Sequence, residues 1–270
     1  MSDFSFVRRS ANGLVRSSSA HTIFSDFKED KERWLFVAPH DDDLVLGSSF
    51  LLSYAVSCGI AVRALITTDG RMGYGSSVSK SEIVEIRAKE TKASFSVLGV
   101  DDVVWLNYPD CLLHHYCGCK ESTTDEPFAY KGQVGLQNSY VAQLRDFRPT
   151  RVFIPSGNDY HPDHKTVYNE FLISLFHSTG DIWPQLGEPL AATPDLFEMA
   201  IYKDFIVPPD VQLKVSDTIF QKKLDSIAAY VSQKQIWQLI ENVKKTGPVE
   251  YYYNVTFDLY LPKKYETLFL

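Results

Sequence analysis

The sequence is poor in cysteine and has no surplus of positive charge. Its 270 residues include 4 Cys, too few for a fold held together by disulfides. Lys and Arg number 27 against 34 Asp and Glu, which gives a net charge of −7. Because nucleic acids and anionic membranes attract basic surfaces, this balance argues against either as the main partner. The N-terminal residues also lack the apolar segment of a signal peptide, so we expect a cytoplasmic protein.

One stretch, residues 44–62, has no charged side chain and approaches the length of a membrane span. Gly59 within it is typical of the residue that follows the end of a helix. The apolar and β-branched residues that come next favour a strand. We therefore interpret the stretch as a buried helix at 44–57 that leads into a strand at 60–67, and we expect no membrane span.

Short apolar runs alternate with segments of helical period along most of the chain. The runs predict strands at 34–39, 60–67, 103–106, 151–155 and 197–202. The segments between and after them predict helices at 44–57, 80–98, 133–147, 163–177 and 217–243. Alternation at this spacing is typical of an α/β fold with a mainly parallel sheet. We predict a Rossmann-like three-layer sandwich with the active site at the C-terminal ends of the strands.

The remaining segments indicate how the chain is organised. With no internal repeat and no linker-like run, residues 1–270 are expected to form one domain, with residues 1–30 as an extended N-terminal arm. Residues 69–77 form a Gly-rich loop, and residues 109–132 are expected to be a loop insertion near the site. The Tyr-rich residues 251–253 are expected to form a terminal strand, with an interface between copies in a homo-oligomer as the alternative.

Two segments at predicted strand ends carry the residues of a metal site. Residues 38–43 follow the first strand and residues 158–164 follow the fourth, and each combines imidazole with carboxylate before a helix. Together they can offer two His and one Asp to a divalent metal with a position left open for water, as in hydrolytic zinc sites. The alternative is a solvated acidic turn and an incidental His pair. Three adjacent acids after a buried strand favour the metal, because they repel one another unless a cation or a helix N-terminus offsets them.

These residues resemble the signature of the PIG-L/LmbE family of zinc-dependent N-acetylglucosaminyl deacetylases. The early motif reads His-Asp-Asp-Asp-Leu at 40–44, and the late motif His-Pro-Asp-His is complete at 161–164. Further matching segments occur in the same order, at 67–70, 87–90, 108–110 and 230–233, so the resemblance spans about 34–235. Two positions depart from the family pattern. Asp41 replaces the usual Pro and Leu44 replaces the usual Glu, which affects the expected substrate more than the reaction type.

The resemblance implies a role for each motif residue. His40, Asp43 and His164 would ligate Zn²⁺, with Fe²⁺ as an alternative metal that the same ligand types suit. Asp42 would be the general base, and His161 would stabilise the oxyanion as a cation and protonate the leaving amine. The substrate-binding candidates are Arg71, Asp110, Asp159 and Tyr160. For these four, the alternatives are a solvated loop side chain, a turn cap or packing.

The function expected from the residues and the resemblance is a zinc-dependent N-deacetylase. It would hydrolyse the N-acetyl amide of an N-acetylglucosamine-type sugar or conjugate and release acetate and a free amine. The alternatives are a metal-dependent phosphoesterase and a sugar-binding homologue without catalysis. Asp163 is expected to orient His161 or His164, or to be an exposed acid at a helix start. The Cys and His residues at 111–119 are expected to be free groups in a variable loop rather than a structural zinc site.

Overall fold

The computed structural model describes residues 2–28, 30–73, 79–123 and 126–269. Residues 74–77 of the Gly-rich loop and residues 124–125 of the expected insertion therefore lie outside the described residues. The strands are β1 Phe4–Ser10, β2 Gly13–Ser17, β3 Arg33–Ala38, β4 Ala61–Thr68, β5 Val103–Tyr108, β6 Lys120–Glu121, β7 Gln133–Val134, β8 Arg151–Pro155, β9 Asp195–Met199, β10 Val211–Val215 and β11 Val249–Val255. The helices are α1 Asp43–Ser57, α2 Lys80–Leu98, α3 Leu136–Phe147, α4 Pro162–Ser178, α5 Asp217–Ala228 and α6 Ile236–Thr246.

The large sheet has parallel strands in one half and antiparallel strands in the other. Its order is β2-β1-β10-β11-β9-β8-β3-β4-β5. The pairs from β9 to β5 are parallel, and the pairs from β2 to β9 are antiparallel. The expectation of a mainly parallel sheet is thus correct for one half only. The other half depends on β1 and β2, which form from the expected N-terminal arm at 1–30, and on β10, whose alternating sequence Val-Gln-Leu-Lys-Val is typical of a strand but was not among the predicted ones.

Helices cover both faces of the parallel half of the sheet. Alternate residues of a strand point to opposite faces. Accordingly Trp34 and Phe36 of β3 belong to one buried cluster, with residues of α1, α2, α5 and α6. Leu35 and Val37 belong to the second cluster, with residues of α3 and α4. After Arg33 the sequence of β3 is apolar, which follows from this burial on both faces of the sheet. The polar residues after Ala38 mark the point where the chain leaves the core.

The uncharged stretch at 44–62 forms a helix followed by a strand, as predicted. Helix α1 occupies most of its first part, and β4 begins at Ala61. Across the described parts of the chain, no helix has both the length and the apolar character that crossing a membrane requires.

The single helix predicted at 217–243 is wrong, because the chain forms α5 and α6 with a loop between them. The loop is fixed by contacts to other elements. The Tyr230 hydroxyl donates to the carbonyl of Asp41 at 2.7 Å, and Glu90 accepts the backbone N–H of Ser232 at 2.7 Å. Helical period continues through these residues, so only tertiary contacts reveal the break. Helix α5 is capped by Ser216, whose side chain accepts the backbone N–H of Ile219.

A buried ion pair supports α1 where its backbone departs from helical geometry. Ser48 has φ −144° and ψ 21°, which breaks the regular hydrogen bonding of the helix. The carboxylate of Glu250 accepts the N–H of Phe50 at 3.1 Å and of Leu51 at 3.3 Å. It also pairs with Lys223, whose Nζ lies 2.7 Å from Oε1. Glu250 therefore satisfies backbone donors that the kink would otherwise leave without partners.

Replacing Glu250 by alanine should lower the free energy of unfolding by about 3–5 kcal/mol, because Lys223 would remain buried without its counter-charge. Urea denaturation followed by circular dichroism measures this change. The matched control is Glu241→Ala, which removes a carboxylate from an exposed pair with Lys244 and should leave the stability unchanged within error. Equal stability of the two variants would contradict this role of the buried pair.

Candidate active site

The two predicted motifs meet at one edge of the sheet. His40 and Asp43 follow β3, and His161 and His164 follow β8. Since β3 and β8 are adjacent and parallel, their C-terminal ends lie side by side and bring the two turns together. The rings of His40 and His164 have their centroids 5.5 Å apart.

The carboxylate of Asp43 lies between the two imidazoles. Its Oδ2 atom is 3.1 Å from His40 Nδ1 and 3.2 Å from His164 Nε2. The backbone N–H of His40 also donates to this oxygen at 2.9 Å, which fixes the carboxylate against the turn. Burial would raise the pKa of Asp43, but the imidazoles of His164 and His40 hold it well below its usual value.

Two of the three distances within this donor set fit a divalent cation, and the imidazoles of His40 and His164 also form a group with His161 that could hold one. Two ligand atoms on a tetrahedral zinc, at bonds of about 2.0–2.1 Å, are about 3.3 Å apart, close to the two distances measured here. Asp43 Oδ1 and both ring nitrogens of His164 are sealed from solvent, and no group of the described residues meets hydrogen-bond geometry with them. A buried polar atom without a hydrogen-bond partner lowers the stability of the folded protein. A bound cation would remove this cost for each atom that coordinates it.

Carboxylates surround the outer nitrogens of both rings. Asp159 Oδ2 lies 3.2 Å from His164 Nδ1, while Asp110 Oδ1 lies 3.2 Å and Asp163 Oδ2 3.4 Å from His40 Nε2. Burial alone would lower the pKa of His164, but Asp43 and Asp159 raise it to about 9. Carboxylates in such positions orient metal-binding imidazoles and increase their basicity. Asp163 is buried, which excludes the exposed acid considered as the alternative. Its carboxylate contacts His40, and its backbone N–H donates to His161 Nδ1 at 3.2 Å.

Replacing Asp159 by asparagine should weaken metal binding by about 10- to 100-fold, because His164 would lose the carboxylate that orients its ring. Competition with a chromogenic chelator measures the affinity. Asp204→Asn, at an exposed position near the same edge of the sheet, is the control and should bind metal as the unmodified protein does. Unchanged affinity in Asp159→Asn would show that the contact does not support a metal ligand.

The three consecutive acids have three different environments. Asp41 is buried and pairs with Arg87, whose Nε donates to Asp41 Oδ2 at 3.0 Å, while the hydroxyl of Thr91 donates to the same oxygen at 2.9 Å. Asp43 faces the imidazoles. Asp42 lies on the wall of a cavity, with its Oδ1 3.4 Å from Arg87 Nη2. Arg87 is thus a cation that offsets the mutual repulsion of the acids.

Asp42 has the properties of a proton acceptor near neutral pH. Burial raises its pKa to about 6, in spite of the opposing charge of Arg87. A base is most effective when its pKa lies near the working pH. Arg87 and Glu90 lie on the same helix α2 but have different partners, because Arg87 contacts Asp41 and Glu90 accepts from Ser232.

The cavity in front of these groups has a volume of about 530 Å³, enough for a sugar derivative. It is lined by His40, Asp42, Met72, Gly73, Arg87, Asp110, Cys111, Tyr160, His161, Pro162, Tyr202, Gln233, Gln235 and Leu239.

The four candidates for substrate binding lie at different depths. Asp110 lines the cavity, and Tyr160 stands at its rim with 72% of its surface exposed. Asp159 is buried and faces His164. Arg71 forms an ion pair with Asp69, its Nε donating at 2.6 Å, and is not part of the described lining.

Several lining residues were not predicted from the sequence. Tyr202 lies just beyond the end of β9, so the rule that placed the two motifs at strand ends could have found it. Gln233 and Leu239 come from the loop after α5 and from α6. Their position depends on the break between these helices, which the sequence pattern does not show.

Comparisons with known proteins agree with this geometry. Residues 35–174 match the family described as PIG-L, GlcNAc-PI de-N-acetylase. The diacetylchitobiose deacetylase of Thermococcus kodakarensis is 26% identical over 252 residues, which cover 89% of this chain and 87% of that protein.

Solved structures show the same fold. The conserved protein TT1542 from Thermus thermophilus is 26% identical with a TM-score of 0.65, covering 86% of this chain and 98% of that one. The N,N'-diacetylchitobiose deacetylase from Pyrococcus horikoshii is 23% identical with a TM-score of 0.67, covering 88% of each chain. Because the family match spans more than half of the sequence and includes both His motifs, the chain belongs to the PIG-L family.

Proposed function

We propose that the protein is a metal-dependent N-deacetylase that hydrolyses the N-acetyl amide of an N-acetylglucosamine-type sugar or conjugate. The observation that carries the proposal is the position of Asp43 between His40 and His164, with Asp42 and His161 on the wall of the adjoining cavity. This combines a cation site, a base and a proton donor beside one sugar-sized space.

His40, Asp43 and His164 would hold the cation, with Zn²⁺ preferred and Fe²⁺ as the alternative. When bound, such a cation acidifies a water to a pKa of about 7 and polarises the amide carbonyl. The remaining chemistry belongs to the chain's own residues. Asp159 and Asp110 fix the rings of His164 and His40, so Asp159 is better assigned to ring orientation than to sugar binding.

Asp42 takes a proton from the attacking water, whose oxygen forms a bond with the amide carbon. His161 is proposed to act on the leaving nitrogen of the amide. Its Nδ1 accepts the N–H of Asp163 at 3.2 Å, which leaves the Nε2–H as its donor. Burial and the nearby imidazoles of His40 and His164 lower the pKa of His161, so the free protein favours the neutral ring over the expected cation.

Once His161 has taken up a proton from solvent, its cationic ring gives the Nε2 proton to the leaving nitrogen as the C–N bond breaks and becomes neutral. Asp42 then returns to His161 the proton that it took from the water. The acid product passes its remaining proton to the amine, so the products are acetate and an ammonium group, and both side chains regain the states in which they began catalysis. Asp110 and the exposed ring of Tyr160 are proposed to contact the sugar. Arg71, which is paired with Asp69, is proposed to contact substrate groups at the cavity mouth.

Acetate release tests the proposal. The zinc-loaded protein is incubated with diacetylchitobiose, other N-acetylglucosamine conjugates and a panel of phosphomonoesters, and acetate and phosphate are measured separately. We expect acetate from at least one acetylated amino sugar and no phosphate. Phosphate release without acetate would identify a phosphoesterase, and sugar binding without either product would identify a non-catalytic homologue.

A further inference from the structure

Cys111 has an unusual position beside the candidate active site. It follows Asp110 after β5, and its backbone has φ 65°, a left-handed conformation that favours glycine. Its N–H donates to Asp163 Oδ2 at 2.8 Å, which fixes the residue against the start of α4. The residue is exposed, has no disulfide partner and lines the cavity. A thiol is thus held at the wall of the cavity.

Cys111 forms a donor cluster with His161 and Asp163. A sulfur, a ring nitrogen and a carboxylate oxygen from these residues all lie within 4.8 Å of one another. None of its members belongs to the proposed ligand set of His40, Asp43 and His164. The cluster does adjoin that set, because His161 also groups with His40 and His164, and Asp163 with His40 and Asp110. The cluster therefore offers a second place for a cation next to the first.

The donor types are those that zinc prefers. Cysteine sulfur, histidine nitrogen and carboxylate oxygen all occur as zinc ligands, at about 2.3 Å for sulfur and 2.0–2.2 Å for nitrogen and oxygen. Sulfur and nitrogen on one tetrahedral zinc are about 3.6 Å apart. The donor atoms lie close enough together for the exposed side chain of Cys111 to reach this geometry by rotation. Asp163 is already fixed by the N–H of Cys111.

The other thiols lie in different surroundings. Among the described residues, Cys111 is the cysteine that occurs in a group of metal-ligating side chains. Cys119 Sγ contacts Gln133 Oε1 at 3.3 Å, and Cys117 Sγ lies 4.0 Å from the carbonyl of Leu113. The structure thus separates Cys111 from the Cys and His residues that follow it in the sequence.

We propose that a second thiophilic divalent cation such as Zn²⁺ binds Cys111, His161 and Asp163. Binding at this cluster would take the ring of His161 away from the leaving amine and partly close the cavity. Excess zinc would then inhibit the enzyme that the first zinc activates. The binding claim is independent of the proposed function, whereas the inhibition rests on it.

Cadmium is the probe for binding, because a cadmium–thiolate bond gives a charge-transfer band in the ultraviolet. The protein is loaded with one equivalent of Zn²⁺ and titrated with Cd²⁺. The first site has no sulfur ligand, so exchange of metal there gives no band. We expect the band to saturate near one equivalent in the unmodified protein and in the control Cys58→Ser, whose thiol lies at the end of α1.

Cys111→Gly should abolish this band, and His161→Ala should weaken cadmium binding at least tenfold. Glycine suits the left-handed backbone, so this substitution does not endanger folding. No band in the unmodified protein, or an undiminished band in Cys111→Gly, would overturn the proposal while leaving the deacetylase assignment intact.

Zinc inhibition gives a second readout. Each protein's acetate release is measured against increasing Zn²⁺ and normalised to its own maximum. The midpoint of inhibition should rise at least tenfold in Cys111→Gly and stay the same in Cys58→Ser. A midpoint that is equal in all three proteins would refute inhibition through this cluster.

Discussion

Asp42→Asn should lower the rate of acetate release by about 10²- to 10⁴-fold, the usual contribution of a general base. The asparagine keeps the size of the side chain and an oxygen facing Arg87, but it cannot accept the proton of the attacking water. Because Asp42 does not belong to the proposed ligand set, the variant should still bind one metal per chain. Steady-state kinetics and elemental analysis of the same preparation measure both quantities.

Asp146→Asn is the matched control for this substitution. Asp146 is exposed and pairs with Arg63 on the surface, away from the cavity. Its variant should keep both full activity and full metal content. An Asp42→Asn protein with unreduced acetate release would rule out Asp42 as the base, and one that loses its metal would place Asp42 among the ligands instead.

His164→Ala should remove the bound metal and with it the activity. Loss of a carboxylate that only orients a metal ligand weakens metal binding by about 10- to 100-fold. Loss of the ligand His164 itself should therefore weaken metal binding by more than about 100-fold. Asp43 would also lose a neighbour that holds its pKa low. Metal content after dialysis measures the first effect and acetate release the second.

The control for His164→Ala is His177→Ala, at the far end of the same helix α4. It removes a partly buried imidazole that is remote from the cavity, and it should keep the metal. A His164→Ala protein that retains one tightly bound metal would exclude this residue as a ligand.

The meeting of the two motifs was predictable because it depends on local sequence and one topological rule. The continuous apolar run in β3 identifies a strand buried on both faces, and residues 38–43 mark its end. The late motif follows β8 in the same way. The C-terminal ends of adjacent parallel strands share one edge, so the imidazoles and carboxylates of both motifs had to lie there.

The partners of these residues could not be predicted, because they come from distant parts of the chain. Arg87 lies 46 residues after Asp41, on helix α2, and no local pattern relates the two residues. The loop that carries Gln233 has the period of a helix, and only its contacts to Glu90 and Asp41 interrupt it. Local patterns do not contain such information.

The antiparallel half of the sheet was missed for a similar reason. Strand β2 is the exposed edge of the sheet, and β1 buries Phe4 and Phe6 in an otherwise polar sequence. Strand β1 pairs with β10, and the alternating sequence of β10 is typical of a strand but does not identify its neighbour. This half of the sheet lies away from the two motifs, so the error did not affect the prediction of the site.

The central claim is that a cation held by His40, Asp43 and His164 is required for amide hydrolysis. Its most direct test is to measure acetate release from diacetylchitobiose while zinc is returned stepwise to chelator-treated protein. We predict no acetate without metal and a rate that rises in proportion to bound zinc up to one equivalent per chain. Acetate release by the metal-free protein at the rate of the zinc-loaded protein would contradict the account.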